Sequence, residues 1–143
     1  MNNMHYVGLD IHKKTISYCV RQSDGTILRE NTIAATRQAL EIWMQQLPQP
    51  WTAGMEATMF TGWIYDYLER EWSDGEGGAL GDAQGDCCGQ KKNDRVDARK
   101  IADLLRCDYF PECHMAPREI RDRRRVLRYR NLLVRQAVRS RYL

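Results

Sequence analysis

The sequence predicts an α/β domain with a mixed β-sheet and flanking helices, followed by a long basic helix. Strand-like and helix-like segments alternate from Tyr6 to Leu105, which is the order of an α/β domain. From Arg118 to Arg141 there are ten arginines, and the apolar residues among them recur at intervals of seven. With 143 residues, the chain fits one domain with its own core.

Three strands are expected to open the chain as an antiparallel meander. Tyr6 to Asp10 is a short apolar run that ends in a carboxylate, and Thr15 to Val20 has the composition of a second strand. Asp24-Gly25 is a hairpin turn signal, and a third strand opens at Thr26. Asp10 therefore stands at a strand end, where an aspartate serves either as a turn residue or as a functional carboxylate.

A helix and a fourth strand follow, and the strand again ends in an acid. Thr36 is the expected N-cap of a helix that runs to about Leu47. Trp51 to Met55 has a strand composition and leads directly into Glu56, and a further helix is expected from Thr58 to about Trp72. Functional groups in such sheets gather at the carboxyl ends of strands, so Glu56 is a second candidate carboxylate.

Residues 73–90 break this pattern. The segment SDGEGGALGDAQGDCCGQ is rich in glycine and aspartate and has neither a helical nor a strand period, so it predicts a flexible loop. A loop of this length is unusual inside a compact domain. Codons for this peptide, read one nucleotide later, can encode AMVKVAHWEMLKAIAAGK, a strand followed by an amphipathic helix. We therefore hypothesise that residues 73–90 are translated out of frame, which the coding DNA would test.

The segment from Lys91 to Leu105 is predicted to be an amphipathic helix with Asn93 as its N-cap. Asp94 and Asp97 are three residues apart and are therefore neighbours on one face. On one interpretation both simply favour the positive end of the helix dipole. On the other they form half of a divalent-metal site, because carboxylate oxygens suit Mg²⁺ or Mn²⁺.

Charge and cysteine content narrow the classes of function. The net charge is +3, but the arginine-rich end contains only Glu119 and Asp122 as acids, which indicates a nucleic-acid partner. The five cysteines show no CxxC pairing, which argues against a zinc site or a disulfide framework. No apolar run is long enough to span a bilayer and no signal peptide is found. We therefore expect a cytoplasmic, DNA-associated protein without membrane contact.

Residues 113–143 are expected to be a linker and the start of one long helix. Ile120, Leu127 and Val134 repeat at seven and indicate a coiled-coil seam for self-association. The arginines on the other faces indicate either a solvated basic helix that packs on its own domain or a helix that contacts the phosphate backbone of nucleic acid. The helix reaches Leu143 without a stop signal, so we expect Leu143 to be a truncation point. The expected contacts to the phosphate backbone are Arg121, Arg124, Arg125, Arg128 and Arg135.

Four separated motifs of this chain resemble one protein family. YVGLDIHKKT, GMEAT, KKNDRVDARKIADLL and LRYRNLLVRQ look like the N-terminal half of the DEDD transposases, in the family's order. These are insertion-sequence recombinases of bacteria related to the Piv and MooV invertases, and some are guided by a bridge RNA. The resemblance covers Met4 to about Trp72 and Lys91 to the end.

The resemblance implies a RuvC-like, RNase H-type domain over residues 1–112 that cleaves and exchanges DNA strands during transposition. Its catalytic acids, which would hold Mg²⁺ or Mn²⁺, are Asp10, Glu56, Asp94 and Asp97. His12 and Lys13 follow the first acid in its motif and are expected to lie near the scissile phosphate. Arg95 flanks the last two acids, and Lys13 and Arg95 are expected to contact nucleic acid. The family acts as multimers, and its C-terminal domain with a catalytic serine matches nothing in these residues.

Two other functions stay open from the sequence alone. One is an inactive transposase remnant that only binds nucleic acid through its basic helix, as the aberrant segment and the missing serine domain suggest. Steeply salt-dependent binding without cleavage would favour it. The other is a stand-alone nuclease or junction resolvase on the same fold, since a fold alone does not define a function.

Overall fold

The computed structural model describes residues 4–56, 58, 60–73, 80–83, 94–110 and 115–140. Within these ranges the chain forms β1 (His5–Ile11), β2 (Thr15–Gln22), β3 (Ile27–Ala34), α1 (Arg37–Gln45), β4 (Trp51–Glu56), α2 (Gly62–Ser73), β5 (Leu80–Ala83), α3 (Asp94–Arg106) and α4 (Arg118–Ser140). The predicted α/β class and the long helix at the end are confirmed.

The sheet is mixed, with the strand order β3-β2-β1-β4-β5. The first three strands pair in antiparallel fashion, as the meander prediction requires, and β1-β4 and β4-β5 pair in parallel. The Asp24 carboxylate accepts a hydrogen bond from the N–H of Thr26 at 2.8 Å and so stabilises the predicted hairpin turn. The first strand is therefore central, and its carboxyl end lies beside that of β4.

Strand alternation separates the two faces of the sheet. Odd-numbered residues of β1, such as Val7 and Leu9, are fully buried against the core built by α1 and α2, with Leu40 and Leu68 also at 0% exposure. The Thr36 hydroxyl accepts a hydrogen bond from the N–H of Ala39, so the predicted N-cap of α1 is confirmed. Even-numbered residues of β1 face the other side of the sheet.

Helix α3 covers that second face through small residues. A Cβ atom built on Gly8 would overlap the carbonyl oxygen of Ala98 and lie 2.5 Å from the amide nitrogen of Ala102. Only a glycine permits this backbone approach. Cys19 of β2 is fully buried in a cluster with these two alanines, and this burial raises the pKa of its thiol.

Ion pairs fix the direction of α3 across the sheet. The guanidinium of Arg99 donates to both carboxylate oxygens of Glu30 in β3, at 2.5 and 2.6 Å. Further along α3, Asp103 lies 3.6 Å from Arg21, and Arg106 lies against the hairpin turn at Gly25. That turn is at the end of the sheet where β1 begins. The amino-terminal turn of α3 therefore points to the end where β1 stops.

Two sequence predictions need correction. Helix α2 begins at Gly62 and not at Thr58, because the Thr61 hydroxyl accepts from the N–H of Thr58 at 2.7 Å and donates to its carbonyl at 2.6 Å. These bonds close a separate turn before the helix. Residues 80–83, predicted as part of a loop, form strand β5 and pair in parallel with β4. The other residues between 74 and 93, including the Asn93 N-cap, lie outside the described residues.

Helix α4 lies on the surface. None of its side chains is buried, and a salt bridge from Arg121 to Asp66 ties its first turn to α2. The linker residues 111–114 lie outside the described ranges. No helix in the described part of the chain is long and apolar enough to cross a membrane.

Candidate functional site

Asp10 and Glu56 stand side by side where two parallel strands end. The last register pair between β1 and β4 is Leu9 with Met55, so the next position along both strands joins Asp10 to Glu56. Neighbouring strands lie about 4.8 Å apart, and residues in register point to the same face. Asp10 is 7% exposed, whereas Glu56 is exposed. The two predicted acids at strand ends therefore share one edge of the sheet.

The face that carries these acids is the face that α3 covers. Asp10 follows Gly8 by two residues and Glu56 follows Gly54 by two, so each acid points to the same side as its glycine. Gly8 lies under Ala98, and Gly54 lies under Ile101 of α3. The contacts at Gly8 and Gly54 therefore fix where α3 lies over the sheet. They do so two residues before Asp10 and Glu56 along their strands.

The amino-terminal turn of α3 reaches the level of the acids. The first turn of α3 precedes Ala98 by about 5.4 Å, the rise of one helical turn. Asp10 lies two strand residues beyond Gly8, a distance of roughly 6.6 Å, so the first turn and Asp10 lie at nearly the same level. Because α3 runs opposite to β1, the turn that precedes Ala98 stands over the end of the sheet that carries Asp10. Asp94 and Asp97 occupy this turn. The fold thus brings the three acid-bearing elements to one edge.

The described side chains at this edge do not form a complete metal-binding site. Among the described residues, no group of three or more His, Cys, Asp or Glu side chains is close enough to hold a metal ion. Asp97 is partly exposed and lies 4.0 Å from the ammonium of Lys100. The side chains of Asp94 and Arg95 lie outside the described part of the structure. The donor chemistry fits a hard cation, since the candidate ligands are carboxylates.

His12 contacts Asp10, and the sequence motif did not predict this contact. Its Nε2 atom lies 3.1 Å from the Oδ2 atom of Asp10. The sequence signal was a histidine two residues after a strand-end aspartate, which by itself is weak. Lys13 occupies the following turn and is exposed beside this edge, as its predicted contact with nucleic acid requires.

The arginines of α4 form a stripe along the helix. At 100° per residue, Arg121, Arg124, Arg128 and Arg135 fall within about 60° of one another. The last three are exposed, whereas Arg121 is held by Asp66 and its side chain is 18% exposed. Arg125 flanks the stripe and lies 3.6 Å from Asp122. We call these residues the arginine stripe; Arg121 is its anchored end and the others face solvent.

The apolar seam runs next to the arginine stripe. Ile120, Leu127 and Val134 are 38%, 58% and 49% exposed. Apolar side chains that are exposed in a row along a helix can pack against a second helix. The predicted self-association through this seam stays a prediction.

Removing arginines from the stripe should weaken DNA binding in a salt-dependent way. We expect Arg128→Ala and Arg135→Ala each to lower the slope of log Kd against log salt by about 1, because each loses one phosphate contact. Arg123→Ala and Arg130→Ala, on the opposite side of the helix, are the matched controls. Fluorescence anisotropy with a short duplex at several salt concentrations measures the slopes. Equal changes in all four variants would contradict a defined stripe.

Comparison with protein-family models finds no match to this chain, and no curated protein matches it. The resemblance to transposases stays a prediction from its four motifs.

Proposed function

We propose that this chain is the N-terminal catalytic domain of a DNA transposase or site-specific recombinase with a RuvC-like, RNase H-type fold. It would cleave and exchange DNA strands in a reaction that depends on Mg²⁺ or Mn²⁺. One observation carries the proposal: Asp10, one residue before the end of β1, and Glu56, the last residue of the neighbouring parallel strand β4, face the helix that carries Asp94 and Asp97. A mixed sheet in which the two acid-bearing strands are adjacent supports this fold.

The chemistry of the edge supports a metal-dependent reaction. Carboxylates that converge repel one another unless a cation neutralises them. Asp10, Glu56, Asp94 and Asp97 are the residues that would hold it. Once bound, Mg²⁺ or Mn²⁺ would activate the attacking oxygen and stabilise the leaving oxygen of a phosphodiester. Lys13 is exposed two residues after the end of β1 at Ile11, and Lys13 and Arg95 would neutralise phosphate charge.

The partner proposed for the basic surface is DNA, and a guide RNA would use the same phosphate contacts. The exposed arginines of α4 give affinity without reading sequence. Arg121 joins the start of this helix to Asp66 in α2, and α2 follows the Glu56 end of β4 by a short turn. A homo-oligomer would form through the seam of Ile120, Leu127 and Val134.

A second function is favoured by one observation. Among the described side chains, no three potential ligands are grouped tightly enough for a metal, while Arg124, Arg128 and Arg135 of the basic helix are exposed. This arrangement fits an inactive transposase remnant that binds nucleic acid without cutting it. The two functions differ in whether the chain binds a divalent ion.

Titration of Mn²⁺ into the full chain, followed by the electron paramagnetic resonance signal of free Mn²⁺, separates the two. We expect a bound ion, and we expect Asp10→Asn to weaken its binding at least tenfold, because a ligand that carries a full charge is lost. Asp24→Asn, at the opposite end of the sheet, is the matched control and should bind as the unaltered chain does. The catalytic proposal would be refuted if the unaltered chain bound no Mn²⁺ or if Asp10→Asn bound it equally well. Either result would favour the inactive remnant that only binds nucleic acid.

A further inference from the structure

Asp10 is contacted by a side chain that lies outside the proposed set of acids. The Nε2 atom of His12 is 3.1 Å from Oδ2 of Asp10. The Asp10 side chain is 10% exposed and the His12 side chain is 42% exposed. An ionised carboxylate only accepts hydrogen bonds, so Nε2 is the donor in this contact when Asp10 is ionised.

The backbone holds His12 in place. The register of β1 with β2 continues to the pair Ile11 and Ile16, and the N–H of His12 donates to the carbonyl of Thr15 at 2.9 Å. Lys13 and Lys14 are thus the two central residues of a tight connection. The Lys14 carbonyl accepts a further hydrogen bond, from the N–H of Ala35 at 2.9 Å. The backbone from which the imidazole of His12 projects is therefore held by hydrogen bonds on both sides of the turn.

We propose that His12 is a positioning residue that orients the Asp10 carboxylate for a divalent cation. This inference rests on the proposed function, because it concerns the same acidic edge. An aspartate has two side-chain torsions, of which the terminal one is broad, so its carboxylate plane is set by its hydrogen bonds. Metal-ligating carboxylates are typically held by such outer partners, and loss of one costs about 10–100-fold in metal affinity.

The test compares two substitutions of His12 in the full chain, with Mn²⁺ as the probe. His12→Ala removes the donor and should raise the Kd for Mn²⁺ about 10–100-fold. His12→Gln keeps an N–H donor of similar reach and should restore much of the affinity. Lys14→Ala, an exposed neighbour in the same turn, is the matched control and should leave the Kd unchanged. Thermal unfolding of each variant separates a loss of fold from a loss of orientation.

The outcomes distinguish this inference from the proposed function. If Asp10→Asn loses Mn²⁺ and His12→Ala does not, the positioning role is wrong and the metal site stands. If His12→Gln binds as weakly as His12→Ala while both remain folded, hydrogen-bond donation is not what His12 supplies, and the inference is again overturned. If the unaltered chain binds no Mn²⁺, the proposed function and this inference both fail.

Discussion

Replacing Gly8 by alanine is expected to push helix α3 off the sheet and to lower the free energy of unfolding by about 3 kcal/mol. The new Cβ atom would overlap the carbonyl oxygen of Ala98 and lie 2.5 Å from the amide nitrogen of Ala102. Both are backbone atoms inside a helix, so the conflict cannot be relieved by a side-chain rotation. The helix must move, and the turn that carries Asp94 and Asp97 moves with it.

Gly54→Ala is the matched control for this prediction. Gly54 pairs with Gly8 in register, but its new Cβ would meet the ring of Phe110, at 2.9 Å, which can move aside. Chemical denaturation gives the two stabilities, and alkylation of the buried thiol of Cys19 reports whether α3 stays docked. Comparable loss of stability in the two variants, or full protection of Cys19 in Gly8→Ala, would show that the close approach of α3 does not hold the site.

The second large effect is expected on DNA strand cleavage. The test uses this chain joined to a serine domain of the DEDD transposases that it resembles. In that protein, Asp97→Asn should slow metal-dependent cleavage by about a thousandfold or more. Loss of a metal ligand removes several kcal/mol of transition-state stabilisation, and each 1.36 kcal/mol is about a factor of ten. Single-turnover cleavage of a labelled DNA substrate measures the rate.

The control for this measurement is Asp108→Asn, beyond the other end of α3. Asp108 has a positive φ of 57°, a conformation that asparagine adopts readily, so the fold should be unaffected. We expect Asp108→Asn to cleave at the rate of the unaltered protein. Cleavage by Asp97→Asn at that same rate would remove Asp97 from the catalytic set.

Local signals in the sequence were sufficient to predict the two acids at strand ends. Asp10 and Glu56 each close an apolar run, and the Asp24-Gly25 turn fixes the order of the first strands, so short-range chemistry determines where these residues lie. The N-cap at Thr36 is a further local signal that the structure confirms. The approach of Gly8 to Ala98 joins residues ninety positions apart, and no local pattern encodes it.

Other contacts also depend on the tertiary fold. The contact between His12 and Asp10 needs the exact rotation of a strand end, and Arg121 was predicted to contact phosphate, whereas the structure ties it to Asp66. Strand β5 has a composition that favours a loop, yet residues 80–83 pair with β4. The out-of-frame hypothesis would place VKVAH at positions 75–79, just ahead of this strand. Sequencing the coding DNA between Glu69 and Lys92 tests it.

The most direct test of the metal site is crystallography of the full chain grown with MnCl₂, with diffraction recorded at the manganese absorption edge. We predict an anomalous peak at the carboxyl edge of β1 and β4, with oxygens of Asp10 and Glu56 about 2.1 Å from the ion, the distance of a small hard cation. Oxygens from the first turn of α3 should complete the coordination. A peak elsewhere, or an edge that stays empty at saturating Mn²⁺, would contradict the account.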